Sequence, residues 1–301
     1  LVTKDDDFIG QRSVIFLDGS TGTGKTAIAR EITKNLDIPF TATSILNYSA
    51  TGYVGGDITD TLKELYRKSN GNLKKAERGI IIFDEFDKIA DISPLNDNLK
   101  MNGAVQNILN DFIGGGEYEI NVDNNFNNNM KVRFDTSKLT FICLGTLTEL
   151  RKQKTQKKQF GICKPEVQDN ENYTITVEDL IAIGITKELA GRFNTFLHTE
   201  EYSKESLLKI LKESTISPIT GFEKWINSHG KKLIIEDGVY EAIADAAYDL
   251  NTGARSLQTV MNNIRTPFLK EVLRGKEEII YLDVDTVKKI TEENVKRKVR
   301  K

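Results

Sequence analysis

The sequence predicts an α/β protein: a mostly parallel sheet covered by helices, followed by a smaller, mainly helical C-terminal domain. Three observations predict it. Short apolar runs alternate with helix-periodic segments over the first two-thirds of the chain. A glycine-rich loop joins the first apolar run to the first helical stretch. Beyond about Tyr202, helical periodicity takes over.

The elements follow in order. Strands are expected at Val14–Leu17, Pro39–Ala42, Ile80–Phe83 and Leu139–Leu144, each a short apolar run of the kind buried on both faces of a parallel sheet. Helices are expected at Lys25–Leu36, Ile58–Lys68 and Gly103–Ile113. Alternation of the two types argues for a doubly covered sheet. Ser206–Glu213, Ile219–Asn227, Val239–Asp249 and Ala254–Leu273 carry helical spacing, with strands only at Lys232–Ile235 and Ile279–Leu282. The expected domains are therefore residues 1–199 and 200–301, joined near His198–Ser203. Asn121–Asn129, rich in Asn, and Lys152–Glu171, Lys/Gln-rich and then acidic, are expected as loops.

Composition narrows the class. At 301 residues, with 39% hydrophobic and 29% charged residues, the chain has the makeup of an ordinary globular protein. It has no apolar run long enough to span a bilayer. A formal net charge of −2 gives no electrostatic reason to expect nucleic acid. The basic tail Lys296–Lys301 reads as a solvated helix end. Cys143 and Cys163 are too few and too far apart for a zinc site or a disulfide framework, which suggests a reducing, intracellular setting. His198 and His229 have no partner at ligand spacing. The first residue is Leu1 rather than Met, as expected of a piece of a longer chain.

The chemistry begins at Gly19-Ser20-Thr21-Gly22-Thr23-Gly24-Lys25-Thr26, a full match to the phosphate-loop pattern G-x-x-x-x-G-K-[ST]. The loop follows a strand-like run, and Ala27, Ile28, Ile32 and Leu36 recur after it at helical spacing. Backbone N–H groups and the helix dipole would converge there on a phosphate chain, and a side chain in place of glycine would block the approach. Lys25 would reach the β- and γ-phosphates of ATP, and Thr26 would hold Mg²⁺. Downstream, Ile80-Ile81-Ile82-Phe83 ends in Asp84-Glu85. Asp84 is expected at the Mg²⁺ and Glu85 at the attacking water. Adjacent strand residues face opposite sides, so both must lie at the strand end, where the chain opens into the cleft.

These residues resemble the ClpX family of AAA+ ATPases. The likeness is carried by Gly19–Thr26, Gly52-Tyr53-Val54-Gly55, Ala76-Glu77-Arg78-Gly79 through Asp84-Glu85-Phe86-Asp87-Lys88-Ile89, Val177–Gly184, Leu189-Ala190-Gly191-Arg192-Phe193 and Thr252-Gly253-Ala254-Arg255-Ser256-Leu257. It spans nearly the whole chain and is closer than to HslU, since no long insert follows Gly55. The resemblance implies a P-loop AAA+ large domain and a small helical AAA+ domain. It also implies a homo-hexameric, cytoplasmic protein unfoldase that hydrolyses ATP with Mg²⁺.

The resemblance implies a role for each matching residue. Tyr53, with Val54, is the pore loop that grips substrate. Glu85, Arg192 and Lys25 are catalytic, Arg192 acting as the finger that reaches a neighbour's γ-phosphate. Arg255 contacts the phosphates of its own subunit and links nucleotide state to the angle between domains. Thr146 stands at the sensor-1 position. ATP is then held by Gly19, Ser20, Thr21, Gly22, Thr23, Gly24, Lys25, Thr26, Asp84, Thr146 and Arg255.

The chain also departs from the family. Residues 1–301 do not include the family's N-terminal zinc-binding domain, as expected of a divergent member or of a piece of a longer chain. The loop that docks a ClpP-type peptidase carries Phe160-Gly161-Ile162, the reverse of the family order. A basic substrate-receiving loop is replaced by Asn121–Asn129 and Met130-Lys131-Val132-Arg133, so the degron preference should differ. Asp91–Asn102 shows little match where a second pore loop would lie. A divergent member with a dedicated client is expected. Two alternatives are an ATP-driven remodeller without a peptidase and a nucleic-acid-directed AAA+ motor. The near-neutral charge and Tyr53 between glycines argue against the second. An ATP binder without turnover is disfavoured because every catalytic role has its residue.

Overall fold

Five parallel strands carry the first part of the chain. The computed structural model describes residues 12–48, 56–90, 99–124, 128–147, 150, 175–214 and 217–299. Its strands up to Thr199 are β1 (Val14–Gly19), β2 (Phe40–Ser44), β3 (Ile80–Asp84), β4 (Glu117–Asn124), β5 (Asn128–Asp135), β6 (Thr140–Gly145) and β7 (Thr195–Thr199). The main sheet has the order β2-β3-β6-β1-β7, every pair parallel. Parallel neighbours need crossovers, and the helices Lys25–Asn35, Thr59–Lys68 and Leu99–Gly114 lie within them. The predicted α/β class is therefore the observed one.

Both faces of the sheet are buried, and the strands alternate between them. Phe16, Ile81, Phe83, Phe141 and Cys143 enter the larger core. Leu17, Ile80, Ile82 and Leu144 enter a smaller core with Ala29 of the first helix. Phe83 stacks on Phe141 across the β3–β6 pair, with ring centroids 6.3 Å apart and planes 8° from parallel. Cys143 is fully buried, and burial pushes its thiol pKa well up, as for a structural cysteine. Cys163 lies outside the described residues.

The structure adds detail to two expectations and corrects one, the Asn-rich loop. Ile28, Ile32 and Leu36, whose spacing marks the first helix, are 40%, 55% and 45% exposed. That helix packs through the small residues Ala29 and Thr33, and the Thr33 hydroxyl is satisfied by the Ala29 carbonyl at 3.0 Å. Asn121–Asn129 is not simply a loop. Asn121–Asn124 and Asn128–Asn129 continue the antiparallel hairpin β4–β5, in which Ile120 pairs with Val132 and Tyr118 with Phe134. Ile120, Val132 and Phe134 are buried, while Lys131 and Glu119 pair on the outer side at 2.6 Å, so a period of two runs beneath the Asn-rich composition. Finally, His198 belongs to a sheet strand, β7, which runs to Thr199. The expected loop Lys152–Glu171 lies outside the described residues.

The chain divides into two compact units, Leu1–Gly19 with Lys25–Thr199, and Ser20–Gly24 with Glu200–Lys301. The second unit is mainly helical. Its helices are Lys204–Glu213, Pro218–Ser228, Val239–Asp249, Ala254–Arg274 and Val284–Val299, with a parallel pair of strands, β8 (Lys232–Ile235) and β9 (Ile279–Leu282). Ser203 caps the first of these helices by accepting the Ser206 N–H at 3.2 Å. Leu207, Phe222, Ile226, Ile243, Leu257 and Ile264 form its core. Among the described residues no helix is long and apolar enough to cross a membrane.

Removing the Phe141 ring should leave a cavity between the sheet and its helices. Phe141→Ala is expected to lower stability by about 3–5 kcal/mol. The shift of the urea midpoint by circular dichroism measures it, and an unmoved midpoint would show that the ring carries no core packing.

Candidate active site

The C-terminal ends of β1, β6 and β3 lie side by side, and each delivers chemistry. β1 runs into Gly19, with Lys25 and Thr26 opening the first helix. β3 ends at Asp84, and Thr146 follows β6 directly. The Lys25 ammonium donates to the Gly19 carbonyl at 2.7 Å and to the Thr146 hydroxyl at 3.2 Å. The Thr26 hydroxyl donates to Asp84 Oδ2 at 2.6 Å. The structure thus brings Lys25, Thr26, Asp84 and Thr146 together. A cleft of about 400 Å³ lies beside them, lined by Thr26, Arg30, Ser44, Asp84 and Glu85 among others.

Glu85 leaves the strand in a left-handed conformation, φ 59° and ψ 33°. Such a backbone costs about 1–3 kcal/mol for a residue with a side chain and persists only where its surroundings fix it. Two contacts do so. The Glu85 N–H donates to Asp84 Oδ1 at 2.9 Å, and the Ser44 hydroxyl donates to Glu85 Oε2 at 2.7 Å. Nothing in the sequence singles out Ser44. It ends β2, and its oxygen also accepts the Leu46 N–H at 3.3 Å, capping the turn that follows.

Two acids hold the neighbouring backbone. Asp87 Oδ1 accepts the Thr146 N–H at 3.2 Å, and Asp18 Oδ1 accepts the Leu147 N–H at 2.9 Å. Asp18 is 1% exposed, and its other oxygen lies 3.3 Å from His198 Nδ1. His198 therefore has a carboxylate partner that spacing along the chain could not reveal. The available signal was Asp18 itself, a carboxylate closing a buried apolar strand.

Arg192 follows the short helix Lys187–Ala190, and its flanks anchor it. Phe193 is buried, with its ring 5.6 Å from Phe16 and 5.5 Å from Phe86. The Arg192 guanidinium stays exposed and donates from Nε to Asn110 Oδ1 at 3.1 Å. A Cβ on Gly114 would lie 3.0 Å from its Nη2, so that glycine leaves it room. Buried Gln106 ties the helix Leu99–Gly114 to the segment before Lys187: its amide donates to Ile89 O and Gly184 O, and its oxygen accepts the Thr186 N–H at 2.7 Å. Nearby, Arg12 caps the carbonyls of Ile113 and Thr136. Burial lowers the Arg12 pKa, with Asp135 opposing and Arg192 adding to the shift.

The phosphate-loop residues Ser20–Gly24 belong to the second compact unit. Ser20 donates to Glu201 Oε1 at 2.9 Å, the Ala254 N–H to Gly22 O at 2.9 Å, and the Tyr202 hydroxyl to Thr23 O at 3.1 Å. Thr21 sits at the turn of this loop, and Arg255 is exposed in the first turn of Ala254–Arg274. Tyr53, Val54 and Phe160-Gly161-Ile162 lie outside the described residues.

Hard oxygen donors suit Mg²⁺, which favours a few carboxylate or hydroxyl ligands together with substrate phosphates. The Thr26 hydroxyl and the Asp84 carboxylate, 2.6 Å apart beside the Lys25 ammonium, form such a donor set. Among the described residues no group of three or more His, Cys, Asp or Glu could hold a metal by itself.

Strand, phosphate loop, helix, and an acidic strand end two strands away define a P-loop nucleotide hydrolase. Comparison with known proteins narrows the class. Residues 11–196 match the AAA domain (Cdc48 subfamily), and residues 203–296 match the C-terminal, D2-small domain, of ClpB protein. The chain is 30% identical over 278 residues to "ATP-dependent Clp protease ATP-binding subunit ClpX 2" of Wolinella succinogenes, covering 91% of this chain and 69% of that protein. It is 31% identical over 289 residues to "ATP-dependent Clp protease ATP-binding subunit ClpX" of Bacteroides thetaiotaomicron, covering 90% and 69%. The namesake of Treponema denticola is 28% identical over 298 residues, covering 92% and 70%. The chain belongs to the AAA+ ATPases and is ClpX-like within them.

Two substitutions separate binding from chemistry. Lys25→Ala should abolish binding of a fluorescent ATP analogue. Glu85→Gln should keep that binding and lower hydrolysis by about 10²–10⁴-fold, the usual contribution of a positioned base. Equal hydrolysis by wild type and Glu85→Gln would remove Glu85 from the chemical step.

Proposed function

We propose that the chain is an ATP-dependent protein unfoldase and translocase that works as a cytoplasmic homo-hexameric ring and threads polypeptides through its pore. The observation that carries this reading is the likeness to ClpX proteins over about nine-tenths of the chain, with an intact nucleotide site inside it. Lys25 and the backbone of Gly19–Gly24 bind the phosphates. Thr26 and Asp84 would hold Mg²⁺, which neutralises charge building on the phosphate oxygens. Glu85, held by Ser44 and turned out of its strand, orients water and takes its proton. Thr146, in contact with Lys25, senses the γ-phosphate side. Arg255 reads the nucleotide of its own subunit.

Arg192 acts on the neighbour's nucleotide. It is exposed, is set on a buried Phe193 and, among the described residues, is not drawn into a close ion pair with a carboxylate. Arg192→Ala should bind nucleotide normally and lose about 10³–10⁵-fold in hydrolysis. Mixing it with Lys25→Ala should restore part of the activity, because the second variant supplies the missing arginine to sites that the first keeps intact. Failure of the mixture to recover any hydrolysis would mean that Arg192 does not act across subunits.

Tyr53 and Val54 grip the substrate. An aromatic side chain between glycines can hold an extended peptide without sequence preference. Tyr53→Ala should leave most ATP hydrolysis and abolish unfolding of a tagged fluorescent protein. Unfolding at the wild-type rate would remove Tyr53 from the pore. The relatives named above are ATP-binding subunits of a Clp protease, which favours delivery of the unfolded chain to a ClpP-type peptidase. The reversed tripeptide Phe160-Gly161-Ile162 favours a second reading, remodelling of a dedicated client without a peptidase. Degradation of an unfolded substrate in the presence of such a peptidase separates the two.

A further inference from the structure

In the phosphate-loop pattern, position 22 is free: any residue satisfies the fourth place of G-x-x-x-x-G-K-[ST]. In this fold it is not free. Gly22 has φ +89°, and a Cβ there would collide with the Thr252 carbonyl oxygen. Gly253 has φ +61°, and a Cβ there would lie 2.6 Å from Gly22 O. The two glycines meet backbone to backbone, which no other residue pair permits. The reason for Gly22 is thus not only access for phosphate. It also lets the loop meet Thr252-Gly253-Ala254.

We infer that Gly253, Ala254 and Tyr202 are positioning residues for nucleotide, fixing the peptide planes of the phosphate loop from outside. Their role rests on the nucleotide-site reading above. A trans peptide is planar, so its N–H points opposite to its C=O. Ala254 N–H holds the carbonyl of Gly22, which orients the N–H of Thr23. Tyr202 holds the carbonyl of Thr23, which orients the N–H of Gly24. An anion-binding loop needs such N–H groups turned inward and its carbonyls turned away. The Thr23 N–H makes a long 3.3 Å bond to Ser20 O, one that a phosphate oxygen can replace. Glu201 takes the Ser20 hydroxyl, so a third polar group of the loop is also engaged from outside. Burial raises the Tyr202 pKa, keeping the phenol protonated as the donor it must be.

The test measures affinity for a fluorescent ADP analogue, together with steady-state ATP hydrolysis, on the whole chain. Tyr202→Phe removes only the hydroxyl. It should weaken ADP binding by about 3- to 10-fold, the worth of one hydrogen bond. It should raise KM by a similar factor, leave kcat within about twofold, and leave the thermal unfolding midpoint where it was. Gly253→Ala, far from the motif in sequence, should weaken binding by more than Tyr202→Phe does. If Gly253→Ala unfolds, Tyr202→Phe decides alone. Unchanged or tighter binding in Tyr202→Phe, or a fall in kcat at constant KM, overturns the positioning role while wild-type binding upholds the nucleotide site. Wild-type protein that binds no nucleotide overturns both.

Discussion

Strand β6 is hydrogen-bonded between β1 and β3, and its register decides which residues can meet. Asp18 pairs with Gly145 on one side, and Phe83 with Cys143 on the other. The strands therefore run out together, with Gly19, Thr146 and Asp84 emerging at one edge. Sliding either pairing by a single residue would invert which side chains face each core. A slip of β6, for instance, would put Ile142 where Phe141 now meets the larger core, and the Phe83–Phe141 stack would be lost. Core packing thus locks the register, and the register brings the Lys25 ammonium to the Thr146 hydroxyl and the Thr26 hydroxyl to Asp84.

The parts of the protein most legible in the sequence are those governed by this constraint. Val14–Leu17, Ile80–Phe83 and Leu139–Leu144 are apolar at successive positions because both faces are covered, and such runs stand out. The β4–β5 hairpin was hidden for the opposite reason. Its apolar residues alternate with Asn, Asp, Glu, Lys and Arg, and composition masks a period of two that pairing makes plain. Strand β7 escaped because only half of its surface is covered, leaving Leu197 50% exposed. In the first helix, Ile28, Ile32 and Leu36 carry the helical period on the exposed side, since contact through Ala29 and Thr33 needs little volume.

The site divides in the same way. Residues whose role depends on chemical type at a fixed spacing, Lys25, Thr26, Asp84 and Glu85, could be found by pattern. Residues that act by holding something else could not. Ser44 is an unremarked serine until the strand order brings it to Glu85, and Asp18, Asp87 and Gln106 each serve backbone groups far away in sequence. Gly22 is a special case. The sequence suggested a glycine for phosphate access, and the fold supplies a second, independent reason in Thr252 and Gly253.

This division bears on how a chain only about 30% identical to its relatives holds Lys25, Thr26, Asp84 and Thr146 within hydrogen-bond reach of one another. Groups that must sit within hydrogen-bond distance of one another are set on strand ends, where cross-strand pairing and two covered faces leave little freedom. One departure from the family, Asn121–Asn129 with Met130–Arg133, lies largely in the β4–β5 hairpin, a sheet separate from these strands. The hairpin shows the point at single-residue resolution. Its inward residues Ile120, Val132 and Phe134 stay apolar and buried, because they belong to the same core as Phe83 and Phe141. Its outer positions carry Glu119 and Lys131, whose exposed ion pair is worth little and constrains nothing else. A face of that kind can change its charge, and with it the partners it attracts, without disturbing the bond between Lys25 and Thr146.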